Sequence, residues 1–289
     1  MTTMFKTEQA RTTMEAAYER FRALVPNTNT RTVPTRSGET HVLVAGREGA
    51  PPLVMLHGAL ATSAHAMGEL GPLLDRFRVY APDVIGQSVK SADVRLPLDG
   101  VAYGEWLADV LDEVGLERAH LYGISWGGFV ACKLAQLAPN RVDRLVLLVP
   151  AGIVSGSAWS GFTQVGLPLA LYRMFPSKER LHRFVGSMMT ITTDAWADYF
   201  GEALRSYKLD IRVPPLLTPE ALAGFTRPTL VFGASDDISF PGPALIARMK
   251  VLIPHAETEL LEACRHMPPT DDAFRHRIGA RITQFLVSN

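Results

Sequence analysis

The sequence predicts an α/β fold with a mostly parallel central sheet, helices on both faces and a helical segment inserted between late strands. Three observations predict it. Short apolar runs bounded by Gly and Pro alternate with stretches of helical periodicity from about residue 42 to residue 149. The alternation stops over 151–226, a stretch rich in Trp, Phe, Met, Leu and Gly without a strand-like run, and resumes at 229. The length of 289 residues suits one α/β domain carrying an insertion.

Each element has its own signal. Over 7–24, Met14, Ala17, Tyr18, Phe21 and Leu24 recur at helical spacing, and Pro26 with the polar stretch 27–30 ends the helix. This helix precedes the first expected strand and is expected to pack on the outside of the domain. Strands are expected at 42–45, at 53–56 and at 78–81, the last ending at Pro82 and Asp83. Trp106, Leu107, Val110, Leu111 and Val114 mark one face of a helix that stops at Gly115. A strand at 120–124, a helix at 127–137 stopped by Pro139 and a strand at 145–149 follow. Beyond the insertion come a strand at 229–232, a helix at 243–252, a strand at 258–261 and a last helix striped by Phe274, Ile278, Ile282, Phe285 and Leu286. The chain thus divides into a helical extension (1–30), a core domain (31–150 with 227–289) and a helical cap (151–226).

Composition narrows the function. Lys plus Arg and Asp plus Glu both number 29, so no basic surplus exists to neutralise phosphates, and nucleic acid is not an expected partner. No apolar run is long enough to span a membrane, no interfacial amphipathic anchor stands out, and no secretory signal core opens the chain. The two cysteines, Cys132 and Cys264, lie far apart, as in a reduced cytoplasmic protein more than in a disulfide framework. No HExxH, Cys–His metal spacing, Walker lysine loop or GxGxxG is present, so neither metal nor organic cofactor is expected.

The sharpest chemical signal is GISWGG at 123–128, between an apolar strand and a helix. A serine there sits in a tight turn that needs small neighbours, is lifted above the sheet, and faces the positive end of the next helix. His57 and Gly58 follow the strand at 53–56, where backbone N–H groups can join that of Trp126 around a developing oxyanion. A nucleophilic serine needs a base and the base an orienting acid. Of the eight histidines, His266 alone follows the last strand and precedes the last helix, at the sheet edge where Ser125 lies. Asp236 and Asp237 follow the strand at 229–232 at that same edge. The loop after 145–149 offers no acid up to Ser157, and Asp194, Asp198 and Asp210 in the insertion are the reserve candidates.

Together these residues resemble the α/β-hydrolase superfamily from about residue 40 to the C-terminus. The pieces are HGAL at 57–60, DVIGQS at 83–88, GISWGG at 123–128, GASDD at 233–237 and CRHMPP at 264–269. The resemblance implies the α/β-hydrolase fold, with Ser125 as nucleophile, His266 as base, and the N–H groups of Ala59 and Trp126 as oxyanion donors. It also implies an acid three residues after Gly233, which selects Asp236. DVIGQS departs from the family's usual Asp-x-x-Gly-x-Gly-x-Ser and carries no expected catalytic role. A serine nucleophile separates this chain from members that use Asp or Cys and makes it similar to serine carboxylesterases with a helical cap. The expected substrate is a small-molecule ester. Rival readings are a carbon–carbon bond hydrolase or an aminopeptidase, with Arg173, Glu179, Arg180 and Arg183 as polar anchors, and a ligand-binding signalling protein with a vestigial triad. The apolar residues of 151–189, among them Trp159, Phe162, Leu169, Met174, Phe175, Phe184 and Met188, are expected either to pack the cap onto the core or to line a pocket above Ser125.

Overall fold

The computed structural model describes residues 3–25, 27–69, 71–210 and 212–288. Among them the helices are α1 (Glu8–Arg22), α2 (Ser63–Glu69), α3 (Gly71–Leu74), α4 (Ala102–Glu113), α5 (Trp126–Leu137), α6 (Ala158–Gly161), α7 (Leu167–Met174), α8 (Lys178–Gly186), α9 (Asp194–Ser206), α10 (Pro219–Leu222), α11 (Gly242–Leu252) and α12 (Asp272–Val287). The strands are β1 (Asn29–Val33), β2 (Thr40–Ala45), β3 (Pro52–Leu56), β4 (Arg78–Pro82), β5 (Ala119–Ile124), β6 (Val142–Leu148), β7 (Thr229–Ala234) and β8 (Glu257–Leu261).

These strands form one sheet in the order β1-β2-β4-β3-β5-β6-β7-β8. The pairings β1–β2 and β2–β4 are antiparallel, and from β4 through β3 to β8 the ladder is parallel. Parallel strands need covered faces, and the central ones are accordingly apolar, as in the wholly buried Thr229–Ala234, while the edge strand β8 has one buried residue. On one face Trp106, Leu107 and Val110 of α4 and Phe129, Val130 and Leu134 of α5 close the core. On the other, Phe77 packs with Ile278, Ile282 and Phe285 of α12. The C-terminal ends of the parallel strands meet at one edge, where crevices in such sheets gather ligands. The described helices α6 to α10 lie between β6 and β7 in the chain; α6 to α9 line the cavity at that edge, while α10 packs against α5 and α11.

Two expectations need correction. The polar stretch taken as the end of the first helix contains the start of β1, an edge strand whose first four residues are exposed and give no apolar run to read. Pro26, the expected helix stop, lies outside the described residues. Nor does α1 lie on the outside of the domain. Met14, Ala17 and Tyr18 are fully buried in a third apolar cluster with Phe184, Trp196, Tyr199 and Phe200 of the insertion, so α1 is wedged between the insertion and α2.

His65 marks that junction. Its ring lies 3.9 Å from that of Phe21, 4.1 Å from Tyr199 and 4.7 Å from Trp196. Nδ1 pairs with the Thr62 hydroxyl at 2.8 Å, while Nε2 has no partner among the described residues. Burial, helped by the neighbouring His57, pushes the imidazole pKa down to about 3. The folded-state value lies below that of the unfolded chain, so this contribution to stability is complete above about pH 6.5 and is lost as pH falls toward 3, because the unfolded chain takes up the proton first. Unfolding free energy should therefore fall by about 1.4 kcal/mol per pH unit per such histidine in that window. His57, whose pKa burial also depresses, acts in the same direction. Urea unfolding at pH 7 and pH 5 measures this, and His65→Leu should flatten the difference. An unchanged slope would contradict the assignment.

Candidate active site

Ser125 stands between β5 and α5 with φ 49° and ψ −112°, a left-handed conformation that costs a non-glycine residue about 1–3 kcal/mol. Its neighbours are glycines because nothing larger fits. A Cβ on Gly123 would lie 2.6 Å from the Gly127 carbonyl oxygen, one on Gly127 2.1 Å from that of Leu56, and one on Gly128 2.7 Å from the Pro150 side chain. The turn is held by the sheet: Ser125 N–H donates to Leu148 C=O at 2.9 Å, and Ser125 C=O accepts from Gly128 and Ala151 at 2.9 and 3.0 Å.

The Ser125 hydroxyl lies 2.9 Å from His266 Nε2, and His266 Nδ1 lies 2.7 Å from Asp237 Oδ2. The other oxygen of Asp237 accepts from the N–H groups of Ser239 and Phe240 at 2.7 and 3.0 Å. Burial pushes the Asp237 carboxyl upward, but His266 and these two N–H groups outweigh it and hold its pKa below the ordinary value. The arrangement can pass a proton from hydroxyl to imidazole while an ionised carboxylate fixes the ring.

The structure thus brings Ser125 and His266 together, and the carboxylate that meets the imidazole belongs to Asp237, where Asp236 was expected. The Asp236 side chain is exposed and accepts from the Ser235 hydroxyl at 2.8 Å. The reason is the length of the ladder. β7 runs on to Ala234, two residues beyond the expected Phe232, and Ser235 and Asp236 continue the pairing by donating to Leu261 and Cys264. Only then does the chain turn, with Asp237 N–H on Ala234 C=O, and the inward position falls one residue later than the family spacing implies. Of the reserve candidates, Asp194 sits on the surface near Lys178 and His182, Asp210 is bound by Arg212, and Asp198 lines a separate hollow with Arg20 and Arg205.

Ala59 and Trp126 both line the cavity above Ser125. Trp126 opens α5, so its N–H has no partner within the helix, and Ala59 N–H donates to no group among the described residues. Their loop is braced from beneath. His57 Nε2 accepts from Val84 N–H at 2.8 Å and Nδ1 donates to Gly58 C=O at 2.8 Å, which makes His57 a strut. Asp83, fully buried, receives His41 Nδ1 at 2.7 Å, the Ser63 N–H at 2.9 Å, the Ser63 hydroxyl at 2.6 Å and the Ser88 hydroxyl. Burial opposes its ionisation, yet these donors hold its pKa below the ordinary value. The Tyr199 hydroxyl of α9 donates to Leu60 C=O above the loop.

The cavity holds about 680 Å³ and is mostly apolar. Leu169, Phe184, Met188, Trp196, Phe200 and Leu204 of the insertion form much of its wall. Trp159, Phe162, Met174 and Phe175, expected in the core or the pocket, are instead exposed. Arg173, Glu179, Arg180 and Arg183 likewise stand on the surface, away from the cavity. Of the charged side chains paired along the lining, only Asp210 was a candidate from sequence, as a reserve acid. Arg275 binds Glu69 through Nε and Nη2 at 3.0 and 2.9 Å, and Arg212 binds Asp210 through Nε and Nη2 at 2.9 and 2.6 Å. Glu69 and Arg275 are 206 positions apart, a separation that no local spacing reveals. The insertion also meets the histidine loop directly. Met267 N–H donates to Met188 C=O at 2.8 Å, Thr190 N–H to Met267 C=O at 2.9 Å, and Arg265 N–H to the Thr190 hydroxyl at 2.9 Å.

Residues 51–182 match a family model described as the alpha/beta hydrolase fold. Two Bacillus subtilis proteins, the uncharacterized carboxylesterase nap and carboxylesterase YbfK, are 39% and 40% identical over 119 residues, 41% of this chain and 40% of each relative's length. A 2-hydroxy-6-oxononadienedioate/2-hydroxy-6-oxononatrienedioate hydrolase from Cupriavidus pinatubonensis is 31% identical over 264 residues, 82% of this chain and 88% of the relative. The crystal structure of naproxen esterase (carboxylesterase NP) from Bacillus subtilis superposes with a TM-score of 0.81 at 25% identity, covering 95% of this chain and 97% of that one.

If Asp237 orients His266, Asp237→Asn should lower turnover of any substrate by about 10⁴-fold, whereas Asp236→Asn should change it less than about threefold. Steady-state kinetics of both variants checks this, and a larger loss in Asp236→Asn would reverse the assignment.

Proposed function

The chain belongs to the alpha/beta hydrolase fold family, and from that premise we propose that it is a serine hydrolase cleaving carboxylic esters of small, mostly apolar substrates. Ser125 Oγ attacks the acyl carbon while its proton passes to His266 Nε2. Asp237 keeps Nδ1–H facing itself and stabilises the imidazolium. The N–H groups of Ala59 and Trp126 hold the oxyanion. The imidazolium protonates the departing alkoxide, leaving an acyl-Ser125. His266 then takes a proton from water, the hydroxide attacks the acyl group, and the acid leaves as Ser125 recovers its proton. Residues 151–226 act as the cap that shapes the acyl and alcohol sites.

The observation that carries this reading is the pairing of charge in the cavity. Beneath a mostly apolar wall, Arg212 and Arg275 each have their own carboxylate, so the lining described here offers no free guanidinium to a substrate carboxylate. The second reading is a carbon–carbon bond hydrolase. The Cupriavidus relative supports it over most of the chain, and its named substrates are dioates. Such dianions need cationic anchors, and the paired arginines favour the neutral ester.

A nitrophenyl ester series from acetate to palmitate tests the proposal. Each buried methylene contributes about 0.8 kcal/mol, so kcat/KM should rise by up to a few-fold per carbon and peak at short to medium length as the cavity fills. Ser125→Ala should abolish turnover by at least about 10³-fold and prevent fluorophosphonate labelling, with the fold retained. A uniformly negligible rate with saturable ligand binding would favour a non-catalytic role.

A further inference from the structure

The insertion carries an outward face that the reaction does not use. Residues 145–172 contain no charged side chain, and among them α6, a π-helical segment (Phe162–Gly166) and α7 run on as one rod. Its inner side faces the cavity through Ala158, Gly161 and Leu169. Its outer side exposes Trp159 (74%), Phe162, Leu167, Leu171 and Met174 (67%), and Phe175 follows at its end. These residues form one stripe because of the π turn. At about 100° per residue, Leu167 would lie roughly 140° around an α-helix from Phe162. The Leu167 N–H instead bonds to Phe162 C=O, five residues back, and the wider turn returns Leu167 to the same side.

Exposed apolar area of this extent is unusual on a protein that contacts only water. The charge beside it identifies what covers it. Arg173, Lys178, Arg180 and Arg183 are exposed within eleven residues at the end of the stripe, against one acid, Glu179. Arg173 and Arg183 form no ion pair among the described residues, Lys178 has only the exposed Asp194 at 3.6 Å, and Arg180 lies over the Phe175 ring. A second copy docked stripe to stripe would offer these cations no acid, since residues 145–172 carry none. An anionic surface would neutralise them.

We propose that the stripe from Trp159 to Phe175, with its flanking cations, docks the insertion in the plane of an anionic lipid bilayer. No helix among the described residues is long and apolar enough to cross a membrane, and none is needed for a helix that lies in the interface. Basic side chains beside the buried stripe add affinity for anionic headgroups. The sequence offered no such anchor because the stripe breaks the 3.6-residue period at the π turn. Docking is independent of the ester reading. If that reading holds, the cavity on the inner side would open next to a reservoir of apolar esters.

Co-sedimentation with vesicles of equal phosphatidylglycerol and phosphatidylcholine tests this without any substrate. The protein should bind them, with a blue shift of Trp159 emission, and should bind pure phosphatidylcholine at least about tenfold more weakly. The triple variant W159A/F162A/F175A and the triple variant R173Q/K178Q/R183Q should each lose about tenfold or more in vesicle affinity, with Tm and ester turnover kept, since none of these side chains lines the cavity. Three results would overturn the proposal: no binding to anionic vesicles, binding undiminished in both variants, or a stable dimer in solution that the apolar substitutions dissociate.

Discussion

Everything at the site depends on one backbone constraint, the left-handed turn at Ser125. It aims the hydroxyl at His266, frees the Trp126 N–H by making it the first of a helix, and brings the turn against β3 so closely that Gly127 has no room for a side chain above the Leu56 carbonyl. A few kcal/mol of strain persists only where the surroundings over-determine the geometry. Here they do: β5 is clamped by β3 and β6 through parallel ladders, and α5 is buried over ten of its residues. The large apolar core thus acts on the chemistry indirectly, by keeping one residue where it would not otherwise stay.

The buried polar groups extend the same logic to the loop that carries Ala59. Asp83 is an isolated carboxylate in an apolar interior, a costly choice unless fully hydrogen-bonded. Its donors come from β2, α2 and its own loop, so it ties three chain segments together below His57. Tyr18 of α1 reaches the same network through Ser63 at 3.0 Å. The N-terminal helix is thereby a support of the site, although nothing in it touches the reaction.

The sequence revealed the strand–helix alternation because each buried strand is an apolar run with Gly or Pro at its ends. Ser125 was legible from its glycine-flanked turn and His266 from its place after the last strand, and the structure sets the two 2.9 Å apart. What stayed hidden was hidden for physical reasons. β1 is a polar edge strand with one buried residue. The choice between Asp236 and Asp237 depends on how far a ladder runs, a matter of pairing with β8 that residue identity does not show. The burial of α1 needs a partner helix almost two hundred residues away. The insertion's apolar residues look alike in sequence, yet Phe184 and Phe162 end up on opposite sides of its surface, one in the wall and one in solvent.

The two backbone bonds and the Thr190 hydroxyl contact that join 188–190 to 265–267 have a consequence for how such a molecule diversifies. His266 is suspended between a loop of the core and a strip of the insertion, so its place depends on both. An insertion exchanged wholesale for another would bring a new substrate wall and would also tear the seam that positions the imidazole. Specificity and catalytic competence are therefore not separable modules here. Heritable change in what is bound should accumulate in α6 and α7, whose Ala158, Gly161 and Leu169 reach the cavity without bonding to the Ala59 or His266 loops, while 188–190 is carried along nearly unchanged.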